Sequence, residues 1–248
     1  MGTEVIAALR EKLKLGWSPV QISGHLKHHG NPSVSHETMY KYIWKDKQSG
    51  GLLFRYLRRK GKKYNKRAKQ NAGRGFIPNR VDITLRPDIV EDKTRLGDWE
   101  LDTIIGARHK GAIVSMVERS SKLTKLVRVP RKTAKLVAEA LCKSLKPIEA
   151  FVHTLTSDNG KEFAYHESVS AALSAGFYFA APYHSWERGL NEHTNGLVRG
   201  YFPKSTNFLE VTEEQVLEVE NLLNNRPRKI LGFETPLERF TRVSENML

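Results

Sequence analysis

Residues 97–130 constrain the fold most. GDWELDTIIG, GAIVSMVERS and LTKLVRVP follow one another as strand-like runs, each bounded by Gly, Ser, Lys or Pro turn residues. Three such runs in succession predict an antiparallel meander. Lys132 to Leu145 then sets Ala134, Val137, Ala138, Leu141 and Leu145 on one helical face, crossing over to a strand at Phe151 to Thr156. A helix around Glu167 to Ala175, a strand at Phe177 to Ala180 and a helix from about Ser185 to Tyr201 complete the order βββαβαβα. The expectation is an α/β layer fold, a mixed five-stranded sheet flanked by helices. A last amphipathic helix is expected over Thr212 to Asn225, with Val216, Val219, Leu222 and Leu223 inward.

A chain of 248 residues, 39% of them hydrophobic, has room for such a domain and a smaller one. The net charge of +14 is unevenly placed: residues 1–90 carry 19 Lys/Arg against 6 Asp/Glu, and residues 91–248 carry 22 against 21. That asymmetry predicts a basic module that grips a polyanion, nucleic acid foremost, joined to a near-neutral domain with another task. The densest run, Arg55, Arg58, Arg59, Lys60, Lys62, Lys63, Lys66, Arg67 and Lys69, has few large apolar residues after Leu57 to insert into a membrane surface. No 18-residue apolar run is present, the N-terminus lacks the layout of an export signal, and Cys142 has no partner for an internal disulfide. A soluble protein of the reducing cytosol, with no membrane partner, is expected. Cys142 itself reads as core or near-core packing.

The basic end reads as three short helices. Val5, Leu9 and Leu13 are at helical spacing; Ser18, Pro19 and Gln21 form a capping box, with Trp17 and Ile22 as a hydrophobic staple. Ser35 caps a third helix behind the Gly30-Asn31-Pro32 turn, with Val34 stapled onto Met39. A helix-turn-helix is the natural assignment. Its last helix enters the DNA major groove, so Met39, Tyr40 and Ile43 should face the core while His36, Glu37, Thr38, Lys41, Tyr42 and Lys45 are offered to bases or phosphates. His25, His28 and His29 read as a polar helix end, because no Cys or further His completes a metal site. The expected boundaries are a helix-turn-helix region over 1–54, a basic linker over 55–90 marked by Gly73, Gly75 and Pro78, and a core over 91–243.

In the core, Asp98, Glu100 and Asp102 alternate on one face of the first strand. Asp158 follows the fourth strand in TSDNGKEF, where α/β folds place ligand-facing groups. Glu192 lies on the last long helix, whose polar stripe is Arg188, Glu192, Asn195 and Arg199. Three carboxylates brought together require cations, and all-oxygen ligands suit Mg²⁺ or Mn²⁺. Two such ions can assist an in-line phosphoryl displacement, with Arg188 and Arg199 suited to phosphate oxygens. Spacing alone is weak support: with 27 acids, about two or three acid pairs at any fixed separation arise by chance. Asp98 and Glu100 read as solvent-facing or ion-paired.

GDWELDTIIG, TSDNGKEF, YHSWERGLNEHTNGLVRGYFPK and LNNRPRKILGFETPLERF resemble the catalytic region of insertion-sequence transposases of the IS-thirty family, and GWSPVQISGHL with VSHETMYKYIW resembles the helix-turn-helix upstream of it. The resemblance implies a ribonuclease-H-like integrase core in which Asp102, Asp158 and Glu192 form the acidic, metal-holding triad, with Arg188, Asn191 and Asn195 as polar neighbours. It implies two Mg²⁺ or Mn²⁺ ions per site. His193 stands where the family has Asn, which leaves the ligands intact. The family's usual N-terminal extension, with another helix-turn-helix, is absent before Met1, so a short or truncated member is expected. The implied activity is metal-dependent phosphodiester hydrolysis and strand transfer at inverted-repeat ends, on double-stranded DNA of element and target, by a homo-oligomer associated with the bacterial nucleoid. DNA contacts are expected from His36, Thr38, Lys41, Lys45, Arg58, Arg59, Lys62, Lys63, Arg188, Asn195 and Arg199. A transposase-derived repressor and another nuclease on the same fold are the alternative readings.

Overall fold

The computed structural model describes residues 1–58, 77–181 and 189–246, which fall into two units: Met1–Asn71 with Asn225–Arg239, and Ala72–Asn224 with Phe240–Leu248. The first contains α1 (Thr3–Lys14), α2 (Pro19–His28) and α3 (His36–Gln48) around Val5, Leu9, Leu13, Trp17, Ile22, Met39 and Ile43. The cap signals act as read: the Ser18 hydroxyl accepts from the Gln21 N–H while the Gln21 side chain accepts from the Ser18 N–H, and Ser35 accepts from the Thr38 N–H. One core position differs from expectation. Tyr42 packs against this core and accepts a hydrogen bond from Arg10 (3.1 Å), because it lies on the turn of α3 that carries Met39 and Ile43; the Tyr40 ring meets His36 instead.

Asn225–Arg239, which the sequence assigned to the core, groups with the N-terminal helices. The Arg226 guanidinium donates to the Gln21 side chain (3.2 Å) and to the Gly16 carbonyl, and Gln21 donates to the Pro227 carbonyl at 2.8 Å. Gly24 admits the Phe233 ring so closely that a Cβ there would lie 2.3 Å from it. Local periodicity carries no trace of a pairing between segments this remote.

The second unit begins with α4 (Ile89–Asp92) and builds its sheet from β1 (Asp98–Ile105), β2 (Ala112–Glu118), β3 (Thr124–Val129), β4 (Thr154–Ser157) and β5 (Gly176–Phe179). The strand order is β3-β2-β1-β4-β5, with β1 antiparallel to β2, β2 antiparallel to β3, and β1, β4 and β5 parallel. Only β2 runs against the rest, which is the ribonuclease-H-like arrangement. The helices are α5 (Ala134–Leu145), α6 (His166–Leu173), α7 (Gly189–Tyr201) and α8 (Glu213–Asn224); a final helix, α9 (Pro236–Glu245), contributes Phe240 to this unit's core.

Alternation along β1 divides the packing. Trp99 and Leu101 face the core with Val137, Leu141, Val169 and Phe177, whereas Ile104 joins Leu197, Val198 and Val216 on the other side. The fourth strand begins at Thr154, later than expected, because Lys146–Phe151 forms a 3₁₀ turn whose last carbonyl accepts the Trp99 indole N–H at 2.9 Å. Both sheet edges are covered. Glu220 and Asn224 of α8 take the Leu126 and Thr124 N–H groups of β3 at 2.7 and 2.8 Å, and Val81 accepts from the Phe179 N–H of β5 at 2.8 Å. No helix among the described residues is long and apolar enough to cross a membrane.

Candidate active site

Glu100 of β1 pairs in parallel register with Thr156 of β4. Asp102 lies two residues further along β1, and Asp158 is the residue after β4 ends at Ser157, so the two aspartates belong to neighbouring parallel segments of the sheet. The strand-end position arises because the Asn159-Gly160 turn follows at once, with the Gly160 N–H donating to Asp158 Oδ1 at 3.0 Å. Both aspartates are half-buried.

Helix α7 reaches the central strand β1 through Asn195, whose amide donates to Asp102 Oδ2 at 2.6 Å. The Asn195 carbonyl oxygen accepts from the Ser115 hydroxyl at 3.0 Å, and Ser115 sits directly across from Asp102 on β2. The Thr103 N–H holds the other Asp102 oxygen at 2.9 Å. Ser115, Asn195 and Asp102 thus form a relay that fixes the carboxylate and docks α7 at once. Glu192, one turn earlier on α7, is exposed. Among the described residues, the acids Asp102, Asp158 and Glu192 are not gathered within 4.8 Å of one another; the group that meets this distance is His25, His29 and Glu238, in the other unit, and it is able to hold one metal ion. The donor chemistry of the three acids, all carboxylate oxygen, fits a hard divalent cation.

The neighbouring acids of β1 are ion-paired rather than solvated. Asp98 receives two bonds from Arg95, at 2.9 Å each, and one from the Thr154 hydroxyl at 2.7 Å. Buried Glu100 pairs with Arg119 at 2.9 Å and accepts the Asn191 N–H at 3.3 Å, which anchors the start of α7 beside Glu192. Glu91 bridges Arg119 to Arg86, and Arg86 donates to Thr156 at 2.8 Å. Burial, with the charge of Arg119 behind it, lowers the Arg86 guanidinium below its ordinary value. Glu162, buried, accepts from Thr103 (2.8 Å) and Lys132 (2.6 Å) beside Asp102.

Several expected DNA-facing groups have other partners. Asn195 is spent on Asp102. Arg199, expected on phosphate, donates to the Ile105 carbonyl at 2.6 Å and stacks over Phe208, and burial lowers its guanidinium below the ordinary value. It ties α7 to the end of β1. Thr38, Lys41 and Lys45 lie exposed along α3, and Arg58 is exposed, whereas His36 pairs with Glu37 at 2.9 Å. Arg59, Lys62, Lys63 and Arg188 lie outside the described residues. Ser115 was missed: it has no motif, and only the β1–β2 register brings it to Asp102. Burial pushes the Cys142 thiol up, in keeping with a packing role.

The transposase for insertion sequence element IS4351 of Bacteroides fragilis is 53% identical to this chain over 231 residues, covering 93% of the chain and 71% of that protein. This chain belongs to the IS-thirty family of insertion-sequence transposases. A second transposase, for element IS1086 of Cupriavidus metallidurans, is 36% identical and is covered to 72% of its length; transposase InsI for element IS30A of Escherichia coli is 35% identical and is covered to 63%. No family model matches. The catalytic core domain of BIV integrase is similar to 60% of this transposase, at 25% identity and a TM-score of 0.48, over 96% of its own chain.

Proposed function

We propose that this transposase binds the inverted-repeat ends of its mobile element, hydrolyses a DNA phosphodiester to free a 3′-hydroxyl, and directs that hydroxyl at target DNA. Asp102 and Asp158 would share two Mg²⁺ or Mn²⁺ ions and Glu192 would hold the second. Bound there, the ions would lower the pKa of the attacking water or hydroxyl and stabilise the leaving oxygen. The relay from Ser115 through Asn195 orients Asp102, and Glu100 with Arg119 secures the first turn of α7 from which Glu192 projects. The Asx turn at Asp158 and Gly160 holds the second carboxylate at its strand end. The observation that supports this reading is the hydrogen bond from Asn195 to Asp102, which ties α7, the helix that carries Glu192, to the strand running parallel to β4, after which Asp158 follows.

In this reading residues 1–54 grip duplex DNA through Thr38, Lys41 and Lys45 on the exposed side of α3. Residues 55–90 add backbone contacts from Arg58, Arg59, Lys62 and Lys63, and 91–243 carry the chemistry. The protein works as a homo-oligomer in its DNA complex, associated with the bacterial nucleoid. The test is cleavage of a repeat-end duplex with Mg²⁺ or Mn²⁺. Nicking that frees a 3′-hydroxyl supports the reading; binding without nicking in either metal favours a repressor, and cutting confined to RNA in hybrids favours another nuclease.

A further inference from the structure

We propose that His25, His29 and Glu238 form a second metal site, for a borderline-soft divalent ion such as Zn²⁺, that clamps α2 to the C-terminal segment of its own unit. His25 lies in the last turn of α2 and His29, four residues on, is its C-cap, with ring centroids 4.2 Å apart. Glu238, from α9, brings a carboxylate oxygen to 3.7 Å from His29 Nε2, and the three ligand atoms lie within 4.8 Å of one another. Ligands about 2.0–2.1 Å from a tetrahedral Zn²⁺ are separated by roughly 3.3–3.4 Å, so modest side-chain movement closes the set.

The surroundings suit a metal-bound imidazole. His25 Nδ1 lies 3.4 Å from the Phe233 carbonyl oxygen; donating its proton there leaves Nε2 as the nitrogen with a lone pair, and such outer partners typically orient ligating histidines. Two histidines and one carboxylate are a Zn²⁺ donor set with a fourth position open, whereas Mg²⁺ prefers oxygen throughout. The site shares no residue with the Asp102, Asp158 and Glu192 carboxylates and does not depend on their role.

The test is titration of the chelator-stripped full chain with Zn²⁺ in excess Mg²⁺, followed by calorimetry and by thermal unfolding. One saturable site per chain and a rise in Tm are expected, unchanged in His28→Ala and in Asp158→Asn. Affinity should fall by at least about 10- to 100-fold in His29→Ala and in the near-isosteric Glu238→Gln, since loss of an outer partner alone costs that much. Co²⁺ in place of Zn²⁺ should give tetrahedral visible absorption that both variants lose, a readout of the ligands themselves. Absence of saturable binding, or equal affinity in His29→Ala and Glu238→Gln, overturns the proposal.

Discussion

Replacing Asn195 with Ala separates two uses of that side chain. As built, its amide donates at 2.6 Å to Asp102 and accepts from Ser115 at 3.0 Å. A hydrogen bond to a charged group contributes about 1.5–3 kcal/mol, and about 1.4 kcal/mol is a factor of ten in rate. If Asp102 must be held in one orientation for the reaction, Asn195→Ala should slow single-turnover cleavage at saturating repeat-end DNA by roughly 10- to 150-fold. Loss of the Ser115 bond adds about 1 kcal/mol of destabilisation, a Tm decrease of about 2–4 °C. DNA affinity and its salt dependence should stay as in the unsubstituted protein. A phosphate contact by Asn195 predicts the reverse. An unchanged cleavage rate with weakened binding at every salt concentration would refute the positioning role and restore Asn195 to the DNA interface.

Other outcomes follow from the packing and the charges. Gly24→Ala should destabilise the N-terminal unit in thermal unfolding despite a gain of about 1 kcal/mol in helix propensity, because the new methyl occupies the Phe233 ring position; a Tm increase would show that Phe233 yields freely. Burial pushes the Glu118 carboxyl above its usual 4.5 even though Ser121 and Gly97 donate to it. The native state then holds a proton that the unfolded chain releases, so the Glu118 contribution is full below pH about 4.5 and declines as pH rises through the raised value. Against a Glu118→Gln reference, the difference in unfolding free energy should shift in that direction across the window, and a flat difference would argue against the raised value.

The order of strands and helices was legible because each element carries its own period: alternation in DWELDTII, helical spacing from Ala134 to Leu145, and capping chemistry at Ser18 and Ser35. The place of Asp158 was legible for a related reason, since a carboxylate at a strand end needs only the strand and its turn, and that of Asp102 followed from the alternation of β1. What stayed hidden depends on pairing between remote segments. Ser115 meets Asp102 only through the β1–β2 register, and Arg199 finds the Ile105 carbonyl only once α7 lies along β1. His25 and His29 lacked a third ligand in the sequence because it is a glutamate from the far end of the chain. Asn225–Arg239 likewise has an ordinary helix and turn pattern, and its place is decided by Arg226, Pro227 and Phe233 meeting Gln21 and Gly24.

The sharpest measurement is cleavage of a repeat-end duplex by Asp102→Cys and Asp158→Cys, each assayed in Mg²⁺ and in Mn²⁺. Thiolate is a poor ligand for Mg²⁺ and a better one for Mn²⁺. Both variants should bind DNA normally, fail to cleave in Mg²⁺ and recover part of their activity in Mn²⁺. Cleavage in Mg²⁺ at the unsubstituted rate would mean that neither aspartate touches the reacting ion.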